Sequence, residues 1–233
     1  FFGNFALAID SYMKLKNYII TDSQLLKCQW AIGHCYRHLG DINSMHIALS
    51  YFEEIIEKKE EYYIRAYQSL ILIKLFLNDV NYNYETAFSE MIEFLKEKDA
   101  NKIIEIKSSR QYAIYHRIIL QDNIKALEIL RLALETLEIT GIRIKYDYYF
   151  EIAETLRHQF ILQHNEKDMS ECLVYYNKAL SFALKAGDIS LKCISQLGII
   201  LCHISIEKYD SNDLKNVLDI CEFCHEKKVT YIF

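Results

Sequence analysis

The chain has 233 residues, of which 52% are hydrophobic and 25% charged, so it folds around buried apolar surface and is not a disordered tail. Its net charge is −5, with 27 Lys and Arg interspersed among 32 Asp and Glu, which argues against a nucleic-acid footprint within these residues. No apolar run reaches the ~18 residues that a membrane span needs, and the absence of proline leaves long helices joined by Asn, Asp and Gly turns.

Residues 1–20 form the second helix of a pair, opening at Gly3 and Phe5 and presenting Ala8, Tyr12 and Leu15 on one face. Asp22 or Ser23 caps the next helix, which runs to Leu39 and stops at Gly40, where a left-handed residue is tolerated. Within it Gly33 lets a neighbouring helix approach closely, and Tyr36 supplies a large apolar body to fill that contact. The turn GDINSM holds about three more residues than the shortest hairpin of this kind. One extra helical turn before Ala48 accounts for them, and the helix continues through Phe52 and Ile55.

A first helix follows over residues 60–77, then the loop NDVNYNY at 78–84, and a second helix over 85–98. Residues 101–120 and 124–139 make the next pair across the tight turn QDN at 121–123, with Gly141 as the stop. Residues 146–163 are a first helix that is overlong by about two turns. The stretch HNEKDMS then forms a longer connection before a helix from Leu173 to Ala186, ended by Gly187-Asp188. Residues 189–206 and 214–225 are the last pair, and 227–233 open a further helix.

Ala48-Phe52-Ile55 defines a face that recurs as Ala8-Tyr12-Leu15, Ala87-Met91-Phe94, Ala126-Leu130-Ala133, Cys172-Tyr176-Ala179 and Leu214-Leu218-Cys221. The markers stand 39 to 46 residues apart. A hairpin of this size buries only one face alone and needs neighbours, so six copies predict a repeat array. The expected fold class is all-α, a right-handed superhelical solenoid of antiparallel helix pairs. It would occupy residues 1–233 as one domain of about six repeats, the first and last incomplete, with an N-terminal part preceding Phe1.

Catalytic and metal chemistry is not written in the sequence. Cys221-Glu222-Phe223-Cys224-His225 matches a haem-attachment pattern, but it lies inside a helix with Cys221 at a core position of the repeat. Zinc lacks a second Cys pair of matching spacing. The eight histidines form no H-E-x-x-H motif, and none of the six glycines builds a phosphate cradle. Seven cysteines scattered over helices, Cys28 and Cys35 sharing a face among them, suit buried thiols in a reducing cytoplasm. No cofactor is expected, and no nucleophile stands with its base.

A binding scaffold remains. In such arrays the first helix of each pair lines the inner surface, and counting from Gly33 places Trp30, His34, Arg37 and also His38 there. The same count gives Gln68 in the third repeat, Gln111 and Tyr115 in the fourth, and Asp147, Glu154 and Arg157 in the fifth. In the sixth it gives Ser195 and His203. Aromatic, amide and charged side chains mixed on one inner face suit an extended peptide, whose amides need partners and whose charges need counter-charges.

The hairpin pattern resembles the tetratricopeptide repeat, with a period near forty in place of ~34. Three places look like the peptide-sensing regulators of Gram-positive bacteria, and most of all the Rap family of response-regulator aspartate phosphatases. They are Asn43-Ser44-Met45 before Ala48, Arg65–Leu70 ahead of Tyr84-Glu85-Thr86-Ala87, and Leu214–Ile232 with Glu226-Lys227-Lys228 followed by Tyr231-Ile232. The resemblance implies a cytoplasmic repeat domain that binds a short signalling peptide in its groove. It also implies an N-terminal helical bundle, ahead of Phe1, that contacts a response regulator and holds any phosphatase activity. Where such repeats place a peptide-clamping asparagine, this chain has Ala31, Tyr112 and Gln196, of which only Gln196 keeps an amide. The alternatives are a generic protein–protein scaffold or the sensor array of a larger multidomain protein or transcription regulator.

Overall fold

A computed structural model describes residues 4–19, 21–97, 102–140, 145–208 and 210–226, and among these residues there are eleven helices and no strand. In chain order they are α1 (Phe5–Lys16), α2 (Asp22–Leu39), α3 (Ile42–Lys58), α4 (Tyr63–Phe76) and α5 (Tyr84–Glu97). Then come α6 (Lys102–Ile118), α7 (Asn123–Thr140), α8 (Lys145–Gln163), α9 (Glu166–Ala186), α10 (Ile189–Ser205) and α11 (Ser211–Glu226).

The helices fall into two compact units, one containing α1 to α5 and the other spanning Ile106–Phe223. In the first, α1 packs on α2, α2 on α3, α3 on α4 and α4 on α5, and α2 also touches α4. In the second, α7 packs on α8, α8 on α9 and α9 on α10, and α8 also touches α10. Within each unit these consecutive helices are therefore adjacent in space, and the alternate pairs α2–α4 and α8–α10 also meet. This is the all-helical, repeat-like packing that a forty-residue hairpin period demands.

Local chemistry sets the boundaries. Thr21, not Asp22 or Ser23, caps α2, its hydroxyl accepting from the Gln24 amide, and Asp22 becomes the first helical residue. Gly40 ends that helix with φ at 77°, and Asp41 caps α3 by accepting from the Ser44 amide at 2.9 Å. The extra residues of GDINSM are thus the first turn of α3, with Ser44 and Met45 buried. In the other unit, Gly187 closes α9 with φ at 68° and Asp188 caps α10 through the Leu191 amide.

The marker face is the core face in the middle repeats. Ala48, Phe52 and Ile55 are fully buried, as are Cys172, Tyr176 and Ala179, while Ala126, Leu130 and Ala133 are buried in the same manner. The close approach expected at Gly33 is present, since a Cβ there would lie 2.9 Å from the Phe52 ring. Tyr36 is only half-buried and stacks on Tyr51 with ring centroids 6.3 Å apart.

Three further expectations are corrected. HNEKDMS is not a long connection: α9 starts at Glu166, leaving only His164 and Asn165 between helices. Asn165 accepts from the Lys167 amide, Glu166 and Asp168 favour the helix N-terminus, and Met169 is buried, so the stretch has both a cap and an apolar anchor. The helix expected from residue 60 begins at Tyr63, after Tyr62 adopts a left-handed conformation with φ at 73°. At the edges the marker face is open: Leu15 is exposed in α1, and in α11 Leu218 is 66% exposed and Cys221 is exposed, so Cys221 is no core residue. The stop at Gly141 and the further helix at 227–233 lie outside the described residues.

Candidate functional site

In the first unit, the helical spacing of α2 sets Trp30, His34 and His38 one turn apart on a single face, with Arg37 beside them. All four are half-buried. The indole of Trp30 stacks on His34 at 4.9 Å between ring centroids, and His34 meets His38 edge-on at 4.5 Å. Phe5 of α1 stacks on His38 at 4.9 Å, closing one end of the column. At the other end Tyr62 leans against Trp30, and the Arg65 guanidinium lies 5.7 Å from the Trp30 ring and 5.4 Å from that of Tyr62.

Arg37 Nη2 donates to His34 Nδ1 at 3.2 Å and to His38 Nε2 at 3.1 Å. A guanidinium has no acceptor, so both of these ring nitrogens must carry their lone pairs toward it. Burial, then the charge of Arg37 and of His38, pushes His34 down to about 2. Burial and then Arg37 push His38 down to about 4. Both imidazoles are therefore neutral at physiological pH. Trp30 Nε1 is buried without a protein partner.

In the second unit, Glu151 of α8 is the hub of a buried charge cluster. It accepts from Arg110 Nε at 3.1 Å and Nη2 at 2.7 Å, and from Arg117 Nη2 at 3.0 Å, both on α6. Arg110 also lies 3.7 Å from Asp147. One turn further along α8, Glu154 accepts from Arg157 at 2.9 Å and from the Tyr176 hydroxyl of α9. Burial alone would raise the Glu154 carboxyl, but Arg157, Arg117 and these hydrogen bonds carry it below the usual range. Burial and then the Glu154 charge push the Tyr176 hydroxyl up.

The residues nominated from sequence fall into three groups. Trp30, His34 and Arg37 are brought together on α2, with His38. Asp147, Glu154 and Arg157 line one side of α8, but each is already held by an opposite charge. Gln111, Tyr115 and Ser195 are buried, while Gln68, Gln196 and His203 are half-buried on α4 and α10. His203 faces Asp213 at 3.1 Å. Of the three asparagine-replacing positions, Ala31 and Tyr112 are half-buried like Gln196.

Sequence reasoning missed Arg110, Arg117 and Glu151, the centre of the α6–α8 cluster, and Phe5, Tyr62 and Arg65, which frame the α2 column. Partners 34 and 41 residues apart make the cluster. The available clue was Arg110 and Arg117 seven residues apart on one helical face, with Glu151 and Glu154 on the facing first helix. Among the described residues no three His, Cys, Asp or Glu side chains are grouped to hold a metal ion, and no helix is long and apolar enough to cross a membrane. No protein-family model matches the chain, and no curated protein matches it.

Proposed function

We propose that the chain is a peptide-binding regulatory domain, a right-handed superhelical array of tetratricopeptide-like repeats that holds a short signalling peptide along its first helices. The observation that carries this reading is the half-buried row on α2, Trp30, His34, Arg37 and His38. Its rings are held in place by stacking and edge contacts, and its mixture of aromatic and cationic side chains suits the apolar groups and carboxylates of a peptide. The resemblance to Rap-type sensors adds the direction of signalling. The filled groove would act in the cytoplasm on an N-terminal effector that engages a response regulator.

Calorimetry of this domain against short peptides encoded beside its gene tests the reading. Micromolar or tighter binding that is lost in Trp30→Ala and Arg37→Ala supports it. Arg37 is preferred to Glu154 for this purpose, because Glu154→Ala would leave Arg157 buried without its carboxylate and unsettle the fold. No binding to any peptide would move the assignment to a protein–protein scaffold. One observation favours that second reading: an open, largely apolar hollow of about 570 Å³ between α8 and α9, lined by Tyr149, Leu173, Val174, Lys178 and Phe182.

A further inference from the structure

His34 and His38 stand one helical turn apart, the spacing at which two imidazoles on one helix face can share a metal ion. Their acceptor nitrogens, Nδ1 of His34 and Nε2 of His38, converge on one point, marked by Arg37 Nη2 at 3.2 and 3.1 Å. A metal–imidazole bond of about 2.0–2.1 Å is shorter than either contact, so an ion would sit deeper between the rings than the guanidinium does. Trp30 stacked on His34 and Phe5 stacked on His38 hold the two rings from outside, which fixes the ligand directions before any ion arrives.

We propose that His34 and His38 form a binding site for a divalent transition metal, Cu²⁺ foremost, from which the Arg37 side chain withdraws when the ion enters. Two imidazoles with the remaining positions given to water suit the tetragonal N,O coordination of Cu²⁺, and this ion stands at the top of the divalent affinity order. Metal binding requires the imidazole lone pair, and the two ring nitrogens that accept from Arg37 already turn theirs toward one point. Arg37 is half-buried on a long flexible side chain at the edge of the column, so its departure opens the site to solvent without moving the helix.

The chain contains one tryptophan, and it touches a proposed ligand. Titration of the whole chain with CuCl₂ in a non-coordinating buffer, read by tryptophan fluorescence, therefore reports on this site directly. The expected result is quenching that saturates at one equivalent, with the midpoint moved to at least about tenfold higher Cu²⁺ in His34→Ala and His38→Ala as one of two ligands is lost. Arg37→Ala should move it about tenfold lower, because a competing occupant and a like charge are gone. His46→Ala, an exposed histidine on α3, should titrate as wild type. Circular dichroism confirms that each variant is folded, and His38→Gln replaces His38→Ala if the smaller side chain unsettles the column. Quenching that does not saturate at one equivalent, that ignores both ligand substitutions, or that weakens in Arg37→Ala overturns the proposal.

Discussion

Gly198 on α10 is where a single carbon decides the packing. A Cβ there would lie 2.3 Å from the Tyr176 ring, and that ring is fully buried with its hydroxyl tied to Glu154. Neither neighbour can step aside. Gly198→Ala should therefore cost about 1–3 kcal/mol through overpacking, despite the better helix propensity of alanine, and urea denaturation of the pair of proteins measures it. His38 is a second single-residue lever. Its folded-state value of about 4 lies below the ordinary 6.5, because burial and then Arg37 disfavour the charged ring. The unfolded chain takes up a proton that the folded chain refuses, so this contribution is full above pH 6.5 and is lost as pH falls toward 4. His34 acts in the same direction. The melting-temperature advantage of wild type over His38→Gln should shrink steadily across that window, and a constant difference would rule the effect out.

At the scale of elements, α6 and α8 share an apolar core through Ile106, Ala113, Tyr148 and Ile152, and an ionic tie through Glu151 is added to it. Glu151 has a side chain only 5% exposed and holds two guanidinium groups, so removing its carboxylate takes this anchor from buried Arg117 and leaves Arg110 with the longer contact to Asp147. Glu151→Ala should destabilise by about 3–5 kcal/mol, more than either Arg110→Ala or Lys125→Ala at an exposed ion pair; equal losses in chemical denaturation would show that the cluster is solvated. Asn165→Ala removes the cap that lets α9 begin at Glu166 and should cost about 1 kcal/mol by the same measurement. Most helix bounds were legible because glycines, Asx caps and a 3.6-residue apolar period are local signals, as at Gly40-Asp41 and Gly187-Asp188. The start of α9 was not, because Glu166, Lys167 and Asp168 read as a polar loop until Met169 is known to be buried. The charge cluster was hidden for a different reason: its partners sit on successive first helices, and no local rule pairs Arg117 with Glu151.

Across the whole molecule, burial follows the repeat frame in α3, α7 and α9 and fades in α1 and α11. The frame nominated both Cys172, first residue of the marker face in α9, and Cys221, third residue of that face in α11, as core positions, and the structure separates them completely. Cys172 is fully buried, 3.4 Å from Cys202 of α10, whereas Cys221 is exposed. The sequence could not distinguish them, since the apolar period is the same in both helices. Alkylation tests this contrast because the thiolate is the reacting species. The contact with Cys202 and then burial push the Cys172 thiol up, and burial does the same to Cys28 and Cys35 of α2. Iodoacetamide under native conditions should therefore modify Cys221 first, with Cys28, Cys35 and Cys172 on the order of 100-fold slower or more, limited by local opening. Peptide mapping of the time course reads each site separately. Early labelling of Cys172 would show that α10 does not cover α9 as described, and slow labelling of Cys221 would show that α11 is covered by a partner surface.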